Sequence, residues 1–421
     1  MTTLESILSR DNMFAALKRV RANKGSHGVD GMTLDDLPVF LRENWTTIKL
    51  KLLSGTYRPQ PVRRVEIPKP DGGVRMLGIP TVMDRLIQQA IAQVLTPLFD
   101  ADFSTSSYGF RSGRRAWDAV KAAQVHICEG YTWVVDIDLE KFFDRINHDK
   151  LMGRLSRKVT DGRLLRLVRR YLKSGVLING IKVASDEGAP QGGPLSPLLA
   201  NIMLDDLDNE LERRGHRFCR YADDCNIYVK TQRAGNRVMA SVGRFIRKEL
   251  SLKVNEQKSA VDRPWKRKFL GFSFYTRKGG VGIRIHPRSV EKLKGKIRVL
   301  TKKHWSIRME YRLERLHQLT DGWVNYFGIA DANDLIHKLD KWTRRRLRAC
   351  FWKQWKVPKA RCRNLVKLGI ENALAKEWAN ARSGYWRVAG SGIMQRTMTV
   401  EYFERIGYHS MSKRYSVVHT Q

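Results

Sequence analysis

Phe218-Cys219-Arg220-Tyr221-Ala222-Asp223-Asp224-Cys225-Asn226-Ile227-Tyr228-Val229 places two adjacent carboxylates between two runs of apolar and aromatic residues. Cys219, Tyr221, Asp223, Cys225, Ile227 and Val229 fall on one parity, and Phe218, Arg220, Ala222, Asp224, Asn226 and Tyr228 on the other. That period of two predicts two short antiparallel strands joined by a tight turn at Asp223-Asp224. Asp is a good turn residue because its side chain hydrogen-bonds its own backbone, so the pair has a purely conformational reading. A second strand carrying carboxylates would favour a chemical one.

Trp133-Val134-Val135-Asp136-Ile137-Asp138 is such a strand, apolar and β-branched and ending in acid. On alternation Asp136 and Asp138 share a face, with Val135 and Ile137 on the other. A carboxylate on a buried strand needs a partner, since an unpaired buried charge is very costly, and a metal ion is the obvious one. Phosphoryl and nucleotidyl transfer use two divalent ions roughly 3.5–4 Å apart, one on the attacking hydroxyl and one on the triphosphate. Mg²⁺ prefers oxygen ligands, so two or three aspartates from neighbouring strands suit it. At this level Asp136 and Asp138 are both candidates.

Upstream, Tyr57 to Pro80 reads as a two-stranded basic ribbon. Asp71-Gly72 is a hairpin signal that would bring Lys69 and Arg75 together at the tip, where a point charge and a planar fork suit a triphosphate. The polar loop Asn23 to Gly31, with three glycines and alternating charges, reads either as a mobile surface segment or as an ordinary connector, with no assigned role. From Asp84 onward, Ile87, Ala90, Ile91, Val94, Leu95 and Leu98 repeat at helical spacing, with Pro97 in the final turn. Tyr108-Gly109-Phe110-Arg111-Ser112-Gly113-Arg114-Arg115 mixes aromatics, glycines and arginines as a nucleic-acid contact would. Gly188 to Pro197 is a glycine-proline loop around Gln191, with Ser196 expected to cap a helix that begins at Pro197. Phe269 to Phe274 reads as a short strand and Lys278-Gly279-Gly280 as a turn.

The charge of the chain points the same way. Among 421 residues, 78 Lys and Arg face 42 Asp and Glu, a formal +36. Such an imbalance repels itself in a compact chain and is relieved by a polyanion, so nucleic acid is the expected partner. An apolar content of 42% argues against wholesale disorder. No apolar run reaches the ~18 residues of a membrane span, and the start lacks the pattern of a secretory signal. The five cysteines form no Cys-x-x-Cys pair, so neither a disulfide framework nor a zinc site is indicated, and a reduced, cytoplasmic setting is expected. Seven of the eleven tryptophans lie beyond residue 290, so the basic C-terminal region is expected to fold around its own core. Arg344, Arg345, Arg346, Arg348, Lys353 and Lys356 alternate there with aromatics, which suits phosphate contact plus stacking on bases.

In this order the motifs resemble those of reverse transcriptases. Tyr221-Ala222-Asp223-Asp224 resembles the palm motif, and Asp138-Leu139-Glu140-Lys141-Phe142-Phe143-Asp144 the first catalytic motif. Pro190-Gln191-Gly192-Gly193-Pro194-Leu195-Ser196-Pro197 is similar to the intervening motif of bacterial group II intron proteins. Lys69 to Pro80 and Phe269 to Phe274 are similar to the fingers ribbon and primer grip. Trp323 to Phe327 and Trp352 to Lys356 resemble the thumb and maturase region, and the chain resembles the short, endonuclease-free class.

The resemblance implies an α+β right-hand polymerase with an antiparallel palm sheet, followed by an all-α thumb and a basic helical C-terminal region. The implied division is an N-terminal extension and first fingers segment at 1–80, fingers and palm at 81–285, thumb at 286–340 and a maturase/DNA-binding region at 341–421. Carried over, Asp138, Asp223 and Asp224, with the Leu139 carbonyl, would hold two Mg²⁺ ions. Asp138 is preferred to Asp136 because the family places an aromatic five residues on, here Phe143, beneath the sugar and selecting dNTPs. Gln191 would lie against the nascent pair, Lys69 and Arg75 on the triphosphate, and Lys258 would donate a proton to pyrophosphate. Arg63, Arg111 and Arg114 join the C-terminal basic residues as nucleic-acid contacts. The implied partners are intron RNA, an RNA template with a DNA primer, target DNA and dNTPs, with no membrane. A splicing-only maturase, or a reverse transcriptase recruited to host repair or defence, is the alternative. An RNA-dependent RNA polymerase is opposed by Phe143.

Overall fold

A computed structural model describes residues 2–68, 72–178, 181–183 and 187–419. The chain forms two compact units, Met1–Arg263 and Pro264–Gln421.

Two four-stranded sheets organise the first unit. One has the order β2-β1-β4-β5, from β1 (Val62–Pro68), β2 (Val74–Ile79), β4 (Val176–Ile178) and β5 (Ile181–Val183). The other has the order β6-β7-β3-β8, from β3 (Trp133–Ile137), β6 (Arg217–Tyr221), β7 (Asp224–Val229) and β8 (Ala260–Asp262). Every pairing in this second sheet is antiparallel, as expected of a palm. β3 is one of its two inner strands, with Val135 opposite Ile227 on one side and Val261 on the other. Its Val134, Val135 and Ile137 are buried, and the helices Ala116–Cys128 and Gln232–Leu250 cover the sheet. Each fully buried side chain of this size stabilises by about 1.5–3 kcal/mol, so β3 is firmly seated.

The core continues into the helices Val82–Asp100 and Ser196–Arg213. Thr81 caps the first of these, its hydroxyl accepting from the Asp84 amide, and Pro97 lies in its final turn as the sequence predicts. The Ser196 cap does not form. Leu195 is the cap residue, and the Ser196 hydroxyl donates to the Pro190 carbonyl at 2.7 Å, tying the loop to the helix it precedes.

The β1–β2 ribbon pairs Pro68 with Val74 and Ile67 with Arg75, an antiparallel hairpin as the Asp71-Gly72 signal suggested. Lys69, Pro70 and Asp71 lie outside the described residues.

The second unit begins with a hairpin of β9 (Phe272–Arg277) and β10 (Gly280–Ile285), closed by Lys278-Gly279 as expected. Helices follow, among them Pro287–Leu300, Met309–Phe327, Asn333–Gln354 and Met411–His419. Trp352 is 1% exposed and Phe403 is fully buried, so the basic region has the core its tryptophans foretold. All five cysteines are free. No helix among the described residues is long and apolar enough to cross a membrane.

Candidate active site

The turn between β6 and β7 differs by one residue from the expected Asp-Asp turn. Tyr221 pairs with Asp224, so Ala222 and Asp223 form the tip and Asp224 is the first residue of β7. Ala222 has φ +57°, the sign that a type II′ hairpin needs at its first central position, where an alanine is strained. The strain is held from beneath by Arg220. That side chain and Asp208 are both fully buried, and the guanidinium grips the carboxylate with two bonds, Nε to Oδ1 at 2.7 Å and Nη2 to Oδ2 at 2.5 Å. It also donates to the Ala222 carbonyl at 2.8 Å, to Asn201 Oδ1 at 3.1 Å and to the Ser107 hydroxyl at 2.7 Å. Burial opposes the charge on Arg220, yet the Asp208 carboxylate outweighs it and holds the guanidinium above its ordinary value. Burial likewise pushes the Asp208 carboxyl up. The two directions disagree about the pair's charge, and the bidentate geometry favours the ionised form. The stretch before Phe110 completes the support. Tyr108 donates its amide to the Arg220 carbonyl, and a Cβ at Gly109 would meet the Ala222 nitrogen at 2.3 Å, so only glycine fits beneath the turn.

Asp138 arrives from the other direction. It follows β3 directly, and its backbone is stapled to the segment after the Gln232–Leu250 helix: its amide donates to the Ser259 hydroxyl at 3.0 Å, and its carbonyl accepts from the Asn255 amide at 2.8 Å. Asp138, Leu139, Asp223, Asp224, Phe143, Arg75, Gln191 and Lys258 all line one cleft of about 1000 Å³. Asp136 is not among the lining residues; it is paired within the sheet, opposite Asn226 and Ala260. Glu140 lines the same cleft, but its carboxylate is taken by Arg145 at 2.9 Å and Lys253 at 3.2 Å.

The charge in the cleft is unbalanced in a telling direction. Burial raises the Asp223 carboxyl above its ordinary value and the neighbouring Asp138 charge raises it further, while Arg75 and Arg220 pull the other way. Carboxylates from two elements meeting in one cleft form an oxygen-only donor set, which fits a hard divalent cation.

The other wall carries the nucleotide candidates. Gln191 Oε1 accepts from Arg75 Nε at 2.9 Å, and the Gln191 carbonyl accepts from the Gly78 amide at 2.8 Å, so the glycine-proline loop lies along β2. Gly192 has φ +126°, and a Cβ there would meet the Gly78 carbonyl at 2.7 Å. Phe143 is buried against Phe142, and its carbonyl accepts from the Ala189 amide.

Residues 67–274 match the family Reverse transcriptase (RNA-dependent DNA polymerase), and residues 290–369 match Group II intron, maturase-specific domain. Protein YkfC of Escherichia coli (strain K12) is 33% identical over 280 residues, which are 57% of this chain and 74% of that protein. The chain belongs to the group II intron reverse transcriptase/maturase family. The Group II intron-encoded protein LtrA of Lactococcus lactis subsp. cremoris is 29% identical over 360 residues, 70% of this chain and 60% of LtrA. Among solved structures, a chain of a partial Cas6-RT-Cas1–Cas2 complex is 28% identical, with a TM-score of 0.39 over 59% of this chain and 43% of that one.

Within this reverse transcriptase, the basic residues named as nucleic-acid contacts divide by burial. Arg111 points inward, bonded to Asp100 at 2.6 Å and to the carbonyls of Phe103, Ser104 and Ser107. Arg348 is 7% exposed and donates twice to the Met398 carbonyl. Both hold the fold together and have no free face for a phosphate, which corrects that expectation. Arg344 pairs with Asp340 at 3.0 Å, and Arg63 donates to the His27 carbonyl at 2.9 Å. Arg114 lies over the Tyr108 ring, Arg345 over Trp386, Arg346 over Trp342 and Lys353 over Tyr385, each a cation on an aromatic face. Lys356 is exposed.

The Arg220 network is the functional feature that the sequence reading missed. Its signal was present: Asp208 follows Leu204 by four and Leu207 by one on the apolar face of the Ser196–Arg213 helix, and an acid there needs a buried cation.

Proposed function

We propose that this chain copies an RNA template into DNA from a primer 3′ hydroxyl, and that it binds its intron RNA to assist splicing and mobility. The observation that carries the polymerase reading is the convergence of Asp138, from the end of β3, with Asp223, from the β6–β7 turn, in one cleft. Asp138, Asp223 and Asp224, with the Leu139 carbonyl, would hold divalent cations, Mg²⁺ by donor chemistry. When bound, such ions lower the pKa of the attacking hydroxyl and neutralise the triphosphate.

The chain's own groups then divide the remaining work. Arg75, braced by Gln191, presents its fork to the triphosphate, with Lys69, six residues earlier in sequence, as the second cation. Gln191 lies against the nascent base pair, and Phe143 fills the space a 2′ hydroxyl would need. Lys258, which lines the cleft, would give a proton to the departing pyrophosphate. The first unit then holds the fingers and most of the palm, and the second holds residues 264–285 of the palm with the thumb and maturase regions, whose arginines and lysines on aromatic faces suit RNA.

Purified protein with Mg²⁺ and dNTPs should extend a DNA primer annealed to RNA. RNA binding without extension would leave a splicing maturase with an idle polymerase.

A further inference from the structure

We propose that the second unit carries a transition-metal site made by His317, Asp321 and His409, a tricoordinate His₂Asp set suited to Zn²⁺. His317 and Asp321 stand one turn apart on the helix Met309–Phe327, and His409 lies just before the helix Met411–His419. One ligand atom from each comes within 4.8 Å of the other two. The His317 and His409 rings pack with centroids 3.7 Å apart, and ligation would swing them to the roughly 5 Å that two imidazoles take on one tetrahedral ion.

Two observations distinguish this group from an ordinary ion pair. His317 Nδ1 and Asp321 Oδ2 are 3.2 Å apart, yet Nδ1 makes no hydrogen bond. Zn–N and Zn–O bonds of about 2.0–2.2 Å place two ligands of one tetrahedral ion about 3.3 Å from each other. The second observation is burial: His317 Nδ1 and Asp321 Oδ1 are shielded from solvent with no hydrogen-bond partner among the described residues. A buried polar atom left unpaired is costly, and a shared cation removes that cost.

The third ligand is held in place by its neighbours. Tyr408 and Ser410, on either side of His409, both donate to the buried carboxylate of Asp340, one to Oδ1 and one to Oδ2. That fixes the backbone carrying His409 against the helix Asn333–Gln354, so binding orders few new groups. Two imidazoles and one carboxylate favour zinc and its neighbours over Mg²⁺, and three protein ligands leave a fourth position for water. The ion would tie the Met309–Phe327 helix to the chain entering Met411–His419.

The test uses the full chain, stripped with chelator and titrated with Co²⁺ as an optical probe, then with Zn²⁺ in competition. Wild type should show the intense visible bands of a tetrahedral Co²⁺ site, bleached by one equivalent of Zn²⁺, and a higher melting temperature with Zn²⁺. His409→Ala, at an exposed position, should lose those bands and bind Zn²⁺ at least about tenfold more weakly, beyond the lower end of an outer-shell change. Cations held by the aspartate cleft contribute equally to both proteins and cancel in the difference. Weak octahedral bands alone in wild type, or equal Zn²⁺ affinity in wild type and His409→Ala, would overturn the proposal. The wild-type spectrum decides even where a variant folds poorly.

Discussion

Phe143 tests the nucleotide half of the site most sharply, because its ring is 7% exposed and stands on the wall that also holds Gln191 and Arg75. Removing the ring opens room for a 2′ hydroxyl without touching a carboxylate. Phe143→Ala should therefore raise ribonucleotide use relative to deoxyribonucleotide use by about 10- to 200-fold, the range for opening or filling a small apolar pocket. Single-nucleotide incorporation kinetics measure that ratio, and an unchanged ratio would remove Phe143 from sugar selection. A second residue makes a pH prediction. Burial and the Asp208 charge raise the Asp205 carboxyl to about 6 from an ordinary 3.8. The native state thus holds this proton more tightly than the unfolded chain, so the stabilisation is full below about 3.8 and lost as pH rises through about 6. Asp205→Asn should be more stable relative to wild type at pH 7 than at pH 4, by about 1 kcal/mol once solvent screening is allowed for. Urea unfolding at the two pH values checks it.

The β6–β7 hairpin shows what a period of two can and cannot reveal. Alternation correctly marked both strands and the antiparallel pairing, because side-chain parity is fixed by the pleat. It misplaced the turn by one residue, because either Ala222-Asp223 or Asp223-Asp224 can close a two-residue loop. The register is decided by Arg220, whose guanidinium must reach Asp208 below the sheet and the Ala222 carbonyl at its tip. That contact spans separate elements and is invisible to local propensity. The Ser196 cap was misplaced for a similar reason, since its hydroxyl is taken by the Pro190 carbonyl at the other end of the loop. The buried pair makes its own prediction. Asp208→Asn leaves a buried guanidinium without its counter-charge and should cost about 3–5 kcal/mol. Because Arg220 also holds the strained turn, the melting temperature should fall and polymerase activity with it. Full activity in a stably folded Asp208→Asn protein would contradict that link.

At the scale of the whole molecule, composition spoke for the partner and motif order for the family. A formal +36 and aromatic faces covered by cations suit a polyanion. Burial then separates arginines that hold the fold, such as Arg111 and Arg348, from those on the surface, a distinction that residue counts cannot make. RNA affinity should fall linearly on a log–log plot against salt, with about −0.7 to −0.9 for each phosphate neutralised. A nearly flat response would deny that the charge serves nucleic acid. The central claim is narrower: Asp138 and Asp223, which meet in the cleft, carry the chemistry, and the turn that presents Asp223 is a scaffold. Primer extension on an RNA template with Mg²⁺, run beside RNA binding for wild type and Asp223→Asn, tests it most directly. The account predicts DNA synthesis lost by at least about 100-fold, the upper end for an outer-shell metal partner, with RNA binding retained. Extension surviving in Asp223→Asn, or synthesis and RNA binding lost together, would contradict it.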